Sequence, residues 1–241
     1  MRSESAVPAS VSATVPADAS GGTGEDAAAG TGPGLDEAEA RDLAEAWLDT
    51  PFPPAARRLL IGAVEAFAAR GYHATTTRDI AARAGLSPAG VYVHFSSKED
   101  LLYQISLIGH RGTVRVVRAA VAGIDDPADR LHAIIAAIAA WHAQYHTTAR
   151  VINYEMSALT EPHRSGIATL RREIDALVRE TLADGVARGA FDVPDVRGTT
   201  LALLSLTIDV ARWFRATGPR APEELGEFYG GLALRLVGHQ A

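Results

Sequence analysis

From residue 53 onward, apolar residues recur at helical spacing along almost the whole chain. In "PPAARRLLIGAVEAFAARGY" (53–72), Leu59, Leu60, Ala63, Val64 and Phe67 share one face, and Gly71 is placed as a C-cap. The period then shortens. Thr76 or Thr77 is an N-cap for a helix over 78–84, and Gly85 supplies a turn where positive φ costs least. Ser87 caps a second short helix over 88–95, with Pro88 at its first position. Ser96 or Ser97 starts a third, over 98–121, and both Ser96–Glu99 and Ser97–Asp100 have capping-box spacing. Further helices are predicted over 126–147, over 149–160 as a separate helix or a kinked continuation, and over 162–191, 193–218 and 222–238. No stretch alternates with strand period, so the predicted fold class is all-α.

The first fifty residues differ. Residues 1–34 are Ala, Ser, Gly, Thr, Pro and acid without periodicity, a composition too poor in apolar surface to offset its chain entropy, so this tail is expected to be disordered. In 35–50, Leu35, Leu43, Ala46 and Trp47 fall roughly on one helical face before Pro51 ends the run. This predicts a short acidic helix, either frayed or docked on the body through Leu43 and Trp47.

Composition narrows the function. The chain is 241 residues long and 47% hydrophobic, enough for a sizeable core, and it contains no cysteine, which removes disulfides, thiolate metal sites and cysteine nucleophiles. The apolar runs 134–141 and 201–210 are too short to span a membrane, and no apolar segment follows Arg2, so a cytoplasmic location is expected. The glycine-rich "GGTGEDAAAG" and "GTGPG" follow no strand. With no P-loop, dinucleotide fingerprint or nucleophile elbow, neither an enzyme nor a cofactor is expected.

The net charge of −6 is unevenly spread. Residues 1–54 hold ten acids against two arginines, whereas 55–105 hold six bases against four acids. The net-basic part contains the short-helix pair and Lys98, the only lysine of the chain. A polyanion responds to the local field rather than to the whole-chain sum.

A helix-turn-helix needs a first helix crossing the phosphate backbone and a second whose slim N-terminal end approaches base edges. Thr76, Thr77 and Arg78 open the first helix. Ser87, Pro88, Ala89 and Gly90 lead the second, which carries Tyr92 and His94, and Lys98 opens the next. The run "AFAARGYHATTTRDIAARAGLSPAGVYVHFSSKEDLL" (66–102), with "RRLLIGAVE" upstream, strongly resembles the N-terminal domain of the TetR family of bacterial repressors. The resemblance implies a DNA-binding domain over 51–105 and a helical effector-binding and dimerisation domain over 106–241. It implies phosphate contacts, and sometimes a base contact, from Thr76, Thr77 and Arg78. Base reading falls to Ser87, Pro88, Ala89 and Gly90, and backbone contacts to Tyr92, His94 and Lys98. The slim tip offers few hydrogen bonds, which shifts sequence choice toward Arg78 and DNA shape.

The same resemblance implies a homodimer through helices 163–189 and 195–217 and a palindromic double-stranded DNA operator. A small-molecule effector would release the operator from a cavity in the helical body. Candidate polar liners of that cavity are His110, His132, His142, Asn153, Tyr154, Asp209 and Arg212. "IDVARWFRATG" is similar to TetR-like regulators of lipid and sterol catabolism, some of which sense acyl-CoA thioesters. Arg150, Arg171, Arg172, Arg212 and Arg215 are candidates for the phosphates of such an effector. His142 and His146, at i and i+4 in "WHAQYH", have metal-ligand spacing with His132 or Glu155 as a third group, but no "HExxH" glutamate accompanies them and no metal is expected.

Overall fold

The computed structural model describes residues 35–48 and 50–239; the acidic tail over 1–34 lies outside the described residues. All regular structure among the described residues is helical: α1 (Glu37–Ala46), α2 (Pro54–Ala74), α3 (Thr77–Arg83), α4 (Pro88–His94), α5 (Lys98–Ala120), α6 (Pro127–Gln144), α7 (His146–Tyr154), α8 (Glu161–Ala187), α9 (Val196–Trp213) and α10 (Pro222–Leu236). None of these helices is long and apolar enough to cross a membrane.

Local signals set most of the boundaries. Gly71, at φ 75°, breaks α2 one turn before its last residue. Thr76 caps α3 in a reciprocal capping box with Asp79, whose carboxyl is held below its ordinary pKa mainly by the Thr76 hydroxyl. Gly85 (φ 65°) turns the chain into α4, which Ser87 caps. Ser97 rather than Ser96 caps α5, while Asp100 reaches back to the Ser96 amide at 2.9 Å.

Two large apolar clusters divide the molecule, with a small third one of Ala139, Ala143, Val210, Phe214 and Leu225 on α6, the end of α9 and α10. One gathers α1 to α4, the first half of α5, and α7, around Leu59, Phe67, Ile80, Phe95 and Ile152. The other gathers the end of α5 with α6, α8, α9 and α10, around Val117, Ile134, Ile138, Val178 and Leu203. The α6–α10 seam is close because Gly226 and Gly230 face Ala136 and His132 with no side chain between.

The region 126–160 departs from the pattern. The apolar period reads through to 147, but the helix stops at Gln144, because Tyr145 leaves helical geometry (φ −110°, ψ 42°), and α7 begins at once. The free amides of α7 are satisfied from α1: the Glu39 carboxylate accepts from Thr147 N–H (3.1 Å), Thr148 N–H (2.9 Å) and the Thr148 hydroxyl (3.1 Å). A carboxylate is stabilised there by the helix dipole and the unpaired amides. The acidic helix is therefore docked, with Glu39, Leu43 and Trp47 all buried.

Candidate functional site: an exposed helix pair and an internal cavity

The α3–α4 pair presents one outward surface. Thr76, Arg78, Ser87, Pro88, Ala89 and Tyr92 are exposed on it, with Thr77, Gly90 and His94 partly so. The Thr77 hydroxyl and the Tyr92 phenol stand 3.2 Å apart and tie the two helices together at the surface. Ser87 Oγ accepts from Gly90 N–H, so the cap that starts α4 also fixes its tip. Val93 adds a residue that the sequence reading passed over. It is 76% exposed, one turn from Ala89, and gives α4 an apolar outward edge. A solvent-facing valine in so short a helix was the available signal.

Lys98, expected to contact the DNA backbone, has partners within the protein. Its ammonium donates to the carbonyls of Tyr72 (2.6 Å) and Thr75 (2.7 Å) and sits 4.2 Å from the centre of the Tyr72 ring. Burial lowers its pKa, partly offset by Glu155. The side chain closes the C-terminal end of α2, and two of its three donors are taken up by strong protein bonds.

Below this head lies a cavity of about 1120 Å³, walled by α1, residues 50–52, α5, α6, α7, α8 and α9. Its apolar lining includes Trp47, Phe52, Leu107, Trp141 and Ile152. Gly109 and Gly112 of α5 let Ile152 and Trp141 close in, since a Cβ would stand 2.4 Å and 2.5 Å from those side chains. Among the described residues, six arginines (Arg111, Arg115, Arg171, Arg172, Arg179 and Arg197) also line it, against one acid, Asp175. Arg171 is partly buried and donates to the Met156 sulfur at 3.1 Å; desolvation lowers its pKa, and no carboxylate of the described residues pairs with it. A half-buried guanidinium without a carboxylate suits an anionic guest.

Three of the seven expected liners reach this cavity: His110, His142 and Asn153. His110 Nδ1 meets the Ser106 carbonyl at 2.8 Å, and His142 Nδ1 meets the Thr207 carbonyl at 2.9 Å, joining α6 to α9. A carbonyl accepts, so each ring is protonated at Nδ1, and burial pushes both pKa values down to about 4. The other four lie elsewhere. His132 faces α10 beside Glu227 and Gly230. Tyr154 is exposed, one helical step from Asn153. Asp209 and Arg212 bond each other at 2.7 and 3.0 Å on the surface, past Ile208, the last α9 residue on the cavity.

Of the arginines considered from sequence, only Arg171 and Arg172 line the cavity. Arg111, Arg115, Arg179 and Arg197 were missed, although Arg111–Arg115 and Arg172–Arg179 repeat at helical spacing. The His142–His146 pair is broken by the stop at Tyr145. His146 turns instead toward Glu39 and Asp36, at 3.3 and 3.9 Å. These three could group around an ion by distance, but the Glu39 oxygens already accept three hydrogen bonds from the start of α7.

Two carboxylates join the cavity walls to the head. Glu155, just after α7, accepts from Tyr72 N–H at 3.0 Å, next to the Gly71 break. Glu99, in the first turn of α5, accepts from Thr160 N–H at 2.8 Å at the start of α8, and His163 Nδ1 lies 2.8 Å from it. The His163 ring stacks on Tyr103 at 3.8 Å.

Comparison with known proteins bears on both parts. The family model described as "Bacterial regulatory proteins, tetR family" matches residues 59–105, and "Tetracyclin repressor-like, C-terminal domain" matches 124–237. The HTH-type transcriptional repressor KstR2 of Mycolicibacterium smegmatis is 32% identical over 196 residues, covering 79% of this chain and 94% of that protein. Among solved structures, a bacterial regulatory protein in the tetR family from Rhodococcus RHA1 aligns with a TM-score of 0.74 and 39% identity, over 79% of this chain and all of that one. The ketosteroid transcriptional regulator KstR2 of Mycobacterium tuberculosis aligns with a TM-score of 0.70 and 27% identity, over 77% and 96% of the two chains.

Proposed function

As the chain belongs to the TetR family of transcriptional regulators, we propose that it is a dimeric repressor that binds a palindromic operator and is released by an amphiphilic anionic effector, an acyl-CoA thioester or a compound of like chemistry. The observation that carries the effector class is the cavity itself, which combines a large apolar wall with six arginines and one acid among the described residues. Arginine suits phosphate because its planar fork donates in pairs, and the apolar wall suits an acyl or fused-ring group. KstR2 is described as a ketosteroid regulator, which favours a ring-bearing acyl part.

On DNA, Arg78 and the threonines at the start of α3 hold phosphate and reach toward a base, while the α4 tip at Ser87–Gly90 enters the major groove. The apolar edge of Ala89 and Val93 suits thymine methyl groups. Tyr92 and His94 complete the backbone contacts. Lys98 acts indirectly, by holding the α2–α3 turn.

The dimer forms through α8 and α9, whose outer faces leave Val186, Leu206 and Trp213 exposed in the single chain. Two-fold symmetry then sets the α4 helices about 34 Å apart, one turn of DNA. Effector in the cavity moves α7 and α8. Glu155 and Glu99 pass that movement to α2 and α5, and the head spacing no longer fits the operator. The effector shifts this balance only by its difference in affinity between the two head arrangements.

The test is fluorescence anisotropy of the full chain on DNA upstream of its own gene, with salt and random competitor titrated. Binding that survives competitor and is released by an acyl-CoA supports the reading. Binding equally lost to random DNA, or indifferent to every acyl-CoA, overturns its operator half or its effector half respectively.

A further inference from the structure

Helix α1 precedes both family matches, the first of which begins at residue 59. It is nevertheless part of the cavity wall. Its inner edge, Leu43, Ala46 and Trp47, lines the cavity together with Phe52 of the segment that follows. The helix is fastened from both sides. Toward the body, the Glu39 carboxylate closes the start of α7, and Gln144 Nε2 donates to Asp42 at 3.2 Å. Toward the head, Arg57 of α2 donates to the Leu48 carbonyl at 3.2 Å, and the Phe52 ring lies 5.7 Å from that of Phe95 at the end of α4.

An acidic helix that only decorated a surface would keep its carboxylates in water. This one buries Glu39 at 2% exposure, which is tolerable only because three donors meet it. The buried carboxylate thus holds an indole against the cavity, beside the head.

We propose that α1 is an effector-binding element: it covers the apolar part of the effector on the head side of the cavity, and Trp47 sets the length of apolar group that fits. This rests on the reading of the cavity as the effector site. The arginines, by contrast, lie on α5, α8 and α9. A guest with its anionic end among them and its apolar end toward Trp47 and Phe52 touches the segment that also packs on Phe95. Effector length and head position are then linked through α1 without passing through α7.

The experiment uses the full chain with dodecanoyl-CoA and butanoyl-CoA as probes. Hydrogen exchange is read over residues 37–48, and affinities are measured for the wild type, Glu39→Gln, Trp47→Ala and Arg171→Met. Glu39→Gln loosens α1 without altering the cavity lining, because Glu39 is not part of it. Expected results are slower exchange over 37–48 with dodecanoyl-CoA, and about tenfold weaker binding of it by both α1 variants. Trp47→Ala should also shrink the preference for dodecanoyl- over butanoyl-CoA. If Arg171→Met weakens binding while exchange over 37–48 and both α1 variants stay at wild-type values, the cavity reading stands and the α1 proposal is overturned. If the wild type binds neither probe, or Arg171→Met binds as wild type, the cavity reading falls and takes the proposal with it. Should Trp47→Ala fail to fold, the exchange measurement on wild type and Glu39→Gln decide the matter alone.

Discussion

The head and the cavity-bearing body are both helical, yet their determinants differ in range. In the head, the starts of α3, α4 and α5 are decided by residues within four positions of one another: Thr76 with Asp79, Ser87 with Gly90, Ser97 with Asp100; the α2–α3 turn, held by Lys98, is the long-range exception. In the body, the decisive partners stand far apart. Glu39 starts a helix 108 residues away, His142 finds a carbonyl 65 residues on, and Glu99 meets Thr160 across 61. The outward α3–α4 surface is set mostly by short-range chemistry, whereas the cavity is closed by long-range contacts.

The largest expected effect separates the two regions by acid. His110 and His142 hold pKa values of about 4 in the folded body, against 6.5 for the free side chain. Between pH 6.5 and 4 the unfolded chain therefore binds more protons than the folded one, and stability falls as pH drops through that window. Above pH 7 neither histidine contributes a slope. Each withdraws on the order of 3 kcal/mol by pH 4. Urea midpoints should drop steeply from pH 7 to 4.5, and His142→Gln should flatten the drop. A profile that His142→Gln leaves unchanged would show that other groups govern the acid limb.

That contrast also explains what was legible in the sequence. Gly85, Ser87–Pro88 and a cap at Thr76 or Thr77 announce α3 and α4, because caps and turns act on their immediate neighbours. The exit from α6 at Tyr145 was hidden, since apolar period continues into 146–152 and the Glu39 carboxylate that caps α7 comes from elsewhere in the chain. The cavity was half legible. His110, His142 and Asn153 were placed on it, but His132 has the same helical spacing to its neighbours and faces Gly230, because the glycines of α10 draw that side of α6 together. Which face of a buried helix meets a void depends on the volumes of its neighbours, and no local pattern encodes that.

In the head, Arg78→Ala should cost about 1–3 kcal/mol of operator affinity and reduce the slope of log K against log salt by about one phosphate contact. The oligomeric state and the affinity for effector should be unchanged, as Arg78 is exposed and is not part of the cavity lining. Anisotropy across a salt series checks this, and a variant with wild-type affinity and slope would remove Arg78 from the interface.

Lys98 sharpens the comparison, because it sits in the head yet faces protein carbonyls. Lys98→Met should cost about 1–2 kcal/mol of local stability by leaving the Tyr72 and Thr75 carbonyls unpaired. Operator affinity should fall with it, but the salt slope should stay at the wild-type value. Faster hydrogen exchange over 71–78 in the variant would accompany the loss. A lowered slope with unchanged exchange would instead make Lys98 a direct phosphate contact.

The smallest effect concerns Val93. Its side chain stands in solvent one turn after Ala89, and a valine in that position gains nothing from the protein's own core. If it packs on a thymine methyl in the bound complex, Val93→Ser should lose a small apolar contact, under about 1 kcal/mol. The loss should appear at one operator position in each half-site and vanish when that thymine is replaced by uracil, which lacks the methyl. Affinity on random DNA should not change, since the phosphate contacts proposed for Arg78 and Thr77 are untouched. An equal loss on thymine and uracil operators would mean that Val93 acts through the packing of α4, and base choice would then rest on Arg78 and DNA shape.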